Sequence, residues 1–178
     1  MITTKILANL VLFFPLFCIS SIYGGDGFES VRCGSDIPKA LMGQKTSNEP
    51  VVVLEARHKD LQLKDLGAEE ITEQLNLIFW MICAEEYAVL EDGDFVRDVL
   101  KFPNHSKDAP QFVSMSCQSN GKELPDTLIG VAKNEADAAM LPVTKAWKID
   151  EKQKKFVEVP AEGLRCPRNE VSTQDGGR

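Results

Sequence analysis

Histidine is almost missing from this sequence: His58 and His105 are the only two in 178 residues. Neither stands in a short ligand spacing such as H-E-x-x-H, so no metal site is expected. There is no G-x-S-x-G elbow to present a nucleophilic serine, and no glycine-rich phosphate or dinucleotide loop, so no cofactor is expected. The calcium-loop pattern is also absent around Asp92, Asp94 and Asp98, which read as solvated acids at a turn. Positive charge is in deficit, with 20 Lys and Arg against 27 Asp and Glu and a formal net charge of -7. A partner held by its phosphates, whether nucleic acid or an anionic membrane surface, needs a basic face and is excluded on that ground. The small cluster Lys152, Lys154 and Lys155, with Lys148 nearby, reads as a solvated hairpin loop. No internal repeat is present.

What the chain does have begins with an address. Lys5 supplies a positive start, Ile6 to Ile19 is almost wholly apolar, and Ser20 and Ser21 lead to Gly24 and Gly25. Residues 1–24 read as a signal peptide ending at Gly24, after whose removal no stable membrane span is expected. Lys5 leaves with it, so 19 basic residues face 27 acidic ones and the charge becomes -8. Cys33, Cys83, Cys117 and Cys166 remain. An even cysteine count in an exported chain predicts two disulfides and a secreted or periplasmic location. Pairing Cys33 with Cys166 would pin both ends of the domain, which leaves Cys83 with Cys117. Asn104-His105-Ser106 is the only glycosylation acceptor triplet.

Residues 25–32 read as a flexible leader, 33–168 as one globular domain and 169–178 as a disordered tail. Ser35, Asp36, Pro38 and Gly43 bracket a short helix with capping, first-turn and terminal signals. Three consecutive valines make Val51 to Arg57 a strand covered on both faces. Ile71, Leu75, Ile78 and Ile82 recur at helical spacing and predict a buried helix from Ala68 to Cys83. Its rival is a strand over Leu77 to Cys83, because a short apolar run cannot be typed by period alone. Asp92-Gly93 centres a hairpin joining Tyr87–Glu91 to Phe95–Lys101, with Leu90 facing Phe95. Val113, Met115 and Cys117 alternate with serines as a half-buried strand. Leu128 to Lys133 forms another strand, and a last hairpin sets Ile149 opposite Phe156. The fold class is α+β: a mainly antiparallel sheet of about seven short strands covered by one buried helix, plus a short N-terminal helix.

These features predict an exported, non-enzymatic binding or interaction domain whose partner is a protein or a small ligand. His58, Asp60 and His105, in polar loops, are the candidate binding residues. The alternative is an exported hydrolase or metal-dependent enzyme using the same histidines with nearby acids such as Glu55 or Asp108.

Overall fold

Tight turns set the limits of the first four strands. A computed structural model describes residues 26–168 and the strand Val171–Ser172. β1 (Lys64–Glu70), β2 (Leu75–Ile82), β3 (Glu85–Asp92) and β4 (Phe95–Lys101) form an antiparallel meander in that order. Thr72 Oγ1 closes the first turn by accepting from the Leu75 N–H at 3.1 Å. β2 and β3 join through Cys83 and Ala84, whose φ values are 56° and 63°. Left-handed backbone costs such residues about 1–2 kcal/mol each, which is why Asn and Gly usually fill these turns. Here a Cys33–Cys83 disulfide and a 2.6 Å bond from the Cys83 N–H to the Leu61 carbonyl hold the turn in place.

The helix expected over Ala68–Cys83 is thus a strand, a turn and a second strand. β2 is buried on both faces: Ile78, Trp80 and Ile82 point one way, and Leu75, Leu77 and Phe79 the other. A strand covered on both sides has no polar alternation, so its apolar residues fall at helical spacing by composition alone. Conversely, the expected strand Val51–Arg57 is a helix, α2 (Val51–Arg57), opened by Pro50. It is not covered on both faces, since Leu54 and His58, one turn apart, are buried while Val52 is 69% exposed. That tertiary anchoring overrides the β preference of valine. The short helix α1 (Ile37–Leu41) forms as expected, with Asp36 Oδ1 accepting from the Lys39 N–H at 3.2 Å and Pro38 in its first turn. Residues 26–32 are no loose leader, because Phe28 and Val31 are buried in the core. The signal-peptide reading falls on residues outside those described. So does most of the expected tail, of which Val171–Ser172 pairs with a strand.

The second sheet contains β5 (Gln111–Ser114), β6 (Gln118–Ser119), β7 (Lys122–Glu123), β8 (Leu128–Ala132), β9 (Met140–Asp150), β10 (Lys155–Val159), β11 (Leu164–Pro167) and β12 (Val171–Ser172). They run in the order β12-β5-β8-β9-β11-β6-β7, and β10 also pairs with β9, setting Phe156 opposite Ile149 as expected. The phase of β5 is opposite to expectation, with Phe112 and Ser114 buried and Met115 71% exposed. Gly130 lies so close to β9 that a Cβ there would meet the Lys145 carbonyl oxygen at 2.0 Å.

Leu77, Phe79 and Leu90 of the first sheet, with Phe102 just beyond β4, share an apolar cluster with Ile129, Val131 and Ile149 of the second. Asp98 Oδ2 also accepts from the Phe156 N–H at 2.7 Å, tying β4 to β10. The other face of the first sheet packs under α1, α2 and residues 26–32. This is an α+β, mainly antiparallel architecture, in two sheets and with twelve strands among the described residues. The N-terminal segments, rather than one long helix, cover the outer face. The disulfides follow the layers: Cys33 pairs with Cys83 and Cys117 with Cys166. The pairing expected from chain ends is therefore corrected, because the N-terminal segment packs on the first sheet and the C-terminal one on the second. Among the described residues no helix is long and apolar enough to cross a membrane.

Candidate functional site

The three residues nominated from sequence do not come together. His58 is buried beneath residues 26–32, with Nε2 2.7 Å from Asp26 Oδ2 and its ring 5.7 Å from that of Phe28. Arg57 Nη1 donates to the same oxygen at 2.8 Å, and the Phe28 N–H donates to Asp26 Oδ1 at 3.1 Å. Burial pushes the Asp26 carboxyl up, but hydrogen bonds from His58 and Arg57, attraction to His58 and the Phe28 amide outweigh it and hold it below the usual carboxylate range. This cluster clamps the N-terminal segment onto α2. Asp60 is exposed in a 3-10 turn and takes no part in it.

His105 lies beside Phe102, with Nε2 2.7 Å from Glu86 Oε2. The other oxygen, Glu86 Oε1, is buried without a hydrogen-bond partner among the described residues. The pair borders an open cleft with Lys101, Lys145 and Trp147, and the described residues lining that cleft include no serine, threonine or cysteine. Among the described residues, no three His, Cys, Asp or Glu side chains are grouped to hold a metal ion.

A second, more enclosed cavity of about 180 Å³ lies between the first sheet and α2. Two bulges shape its floor. On β1 the register slips between Asp65 and Gly67, which puts Asp65 and Ala68 on one face, opposite Trp80 and Ile78. On β4 it slips opposite Leu90 and Glu91, so that Val96 and Val99 share the face of Glu91 and Val89. Each bulge supplies an extra residue that re-aims its strand. Leu54 and Val51 of α2, Leu41 of α1 and Phe28 close the cavity from above, and Lys45, Thr46, Ser47 and Glu49 form its rim. A 2.9 Å bond from the Asp65 N–H to Glu55 Oε1 fixes α2 against β1.

Glu91 is the exceptional residue in this mainly apolar wall. It is only 9% exposed, and among the described residues its carboxyl has no hydrogen bond or ion pair. Burial, with a smaller contribution from the negative charge of Asp94, pushes its pKa up to about 7. Other acids nearby are matched: Asp26 by Arg57 and His58, Glu49 by Arg57, and Asp94 by Lys45. Holding Glu91 ionised in this place costs about 3 kcal/mol relative to an ordinary glutamate. The sequence does carry a signal for it. In strand alternation Glu91 follows Tyr87 and Val89 on one face, an acid where an apolar residue would continue the pattern. Comparison with family models, with characterised proteins and with solved structures finds no match to this chain.

Proposed function

We propose that this protein is an exported, non-enzymatic domain that binds a small, mainly apolar molecule carrying one polar group, in the cavity between α2 and the first sheet. The observation that carries this reading is the carboxyl of Glu91, unpartnered among the described residues, in a mainly apolar recess, the usual composition of a small-molecule site. A purely structural core gains nothing from a buried acid without a partner, since an apolar residue of similar size would be more stable there. Export is supported by the signal-like residues 1–24 and by two disulfides, which suit an oxidising compartment outside the cytoplasm.

Benzene tests the apolar part of the reading, because cavities of about 150 Å³ are known to admit it. Addition of benzene to labelled protein should shift the amide resonances of Leu54, Trp80 and Val89. Shifts confined to other parts of the chain, or none at benzene saturation, would overturn the proposal. The alternative, an exported hydrolase, draws its support from the His105–Glu86 pair. It predicts that H105A abolishes a measurable hydrolysis while leaving the fold intact.

A further inference from the structure

We propose that the occupant of this cavity is a small primary or secondary amine, its ammonium group paired with the Glu91 carboxylate and its apolar body packed between Trp80, Phe28 and Leu54. The inference rests on the reading of the cavity as a ligand site and specifies what enters it. Around the cavity every acid except Glu91 and Asp65 has a cation beside it, and Asp65 Oδ1 accepts a 3.0 Å bond from the Gly67 N–H. Among the described residues Glu91 alone has neither, although it is the most enclosed acid of the cavity wall apart from the clamped Asp26.

The charged groups that face Glu91 come from every element around it. They are Asp26 with its partners Arg57 and His58, Lys45 and Glu49 on the rim, Asp65 on β1, and Asp94 at the β3–β4 turn. Acids outnumber cations among the residues that line the cavity, and Lys45 is already engaged by Asp94 at 3.5 Å. An incoming anion would meet this negative surround. A neutral ligand could accept a hydrogen bond from the protonated acid or donate one to the carboxylate, but it would leave the repulsion between the ionised Glu91 and Asp94 unrelieved. An ammonium ion satisfies the carboxylate and relieves that repulsion at once. The walls suit the remainder of such a molecule. Phe28 and Trp80 meet edge-to-face with centroids 5.3 Å apart, and aromatic faces attract ammonium groups as well as apolar ones. A space of about 180 Å³ limits the body to roughly one six-membered ring with a short arm.

The test uses 2-phenylethylammonium and its neutral analogue 2-phenylethanol, titrated calorimetrically into the full mature protein. Titrations at pH 6 and pH 8, in pairs of buffers with different ionisation heats, count the protons released. Because Glu91 holds its proton up to about pH 7, the amine should release close to one proton on binding at pH 6, and bind about tenfold more tightly at pH 8. In E91Q both the proton release and the preference for the amine should vanish while 2-phenylethanol still binds. Binding of the alcohol as tight as that of the amine in the unmutated protein would overturn the amine assignment and leave the cavity a ligand site. Amine binding without proton release at pH 6, or unchanged in E91Q, would overturn it as well, by placing the ammonium elsewhere. Failure of both probes to bind would overturn the ligand-site reading itself.

Discussion

Replacing Glu91 by glutamine keeps the shape of the side chain and removes its ability to ionise. In the folded protein the carboxyl loses its proton near pH 7, against an ordinary value of 4.5. Below pH 4.5 both folded and unfolded states hold the proton, so the wild type suffers no penalty there. Between 4.5 and 7 the unfolded chain ionises and the folded one does not, and stability falls as pH rises. Above 7 the loss levels off at about 3 kcal/mol, the free-energy equivalent of a pKa raised from 4.5 to about 7. E91Q should therefore match the wild type within about 1 kcal/mol at pH 4.5 and exceed it by about 3 kcal/mol at pH 8. For a domain of this size that is a rise in Tm of roughly 6–12 °C. Urea unfolding with the disulfides intact, run at both pH values, measures the difference. A gap that does not change with pH, or a wild type more stable than E91Q at pH 8, would refute the claim that Glu91 is a buried acid kept at a cost to the fold.

Removing the Cys33–Cys83 bridge with C33A/C83A opens a loop of 50 residues and frees the Cys83-Ala84 turn. A loss of up to about 4 kcal/mol is expected in denaturant unfolding, with the amides at the β2–β3 turn exchanging first. G130A places a methyl group against the Lys145 carbonyl and should cost about 3 kcal/mol or more, or prevent folding, as read by circular dichroism and thermal melting. D26N leaves His58 and Arg57 without their anion and should destabilise the protein by about 2–4 kcal/mol at pH 7. Since the Asp26 pKa is lowered by folding, its contribution is complete above about 3.8 and is lost as pH falls below that. The gap between D26N and wild type should close in strong acid, and a gap that widened there would contradict the clamp.

The parts of the fold legible in the sequence are those fixed by local chemistry. Asp36 and Pro38 announce α1, and the loop around Lys152 and Gln153 sets the register that puts Phe156 opposite Ile149. Gly93 marks the β3–β4 turn, which forms one residue later than Asp92-Gly93 suggests because Asp92, not the expected Leu90, lies opposite Phe95. Where tertiary forces decide, the local pattern misleads. The Cys83-Ala84 turn carries neither Asn nor Gly and depends on a disulfide whose other half lies far upstream. α2 is written in strand-forming valines and is held by the burial of Leu54 and His58. The site divides in the same way. His58 and His105 are visible as rare residues, but their acids Asp26 and Glu86 lie 32 and 19 positions away. Asp60, two positions from His58, is exposed while His58 is buried. Glu91 sits beside a turn rich in acids, where a solvated carboxylate is the ordinary reading, and only the bulge in β4 and the roof of α2 make it buried.

The charge state of Glu91 can be followed directly by the ¹³C resonance of its side-chain carboxyl. In the free protein the account predicts a titration midpoint near 7. Saturation with 2-phenylethylammonium at pH 6 should move that resonance to its ionised position. A midpoint in the ordinary glutamate range, or a carboxyl that stays protonated at pH 6 when the amine is bound, would contradict it.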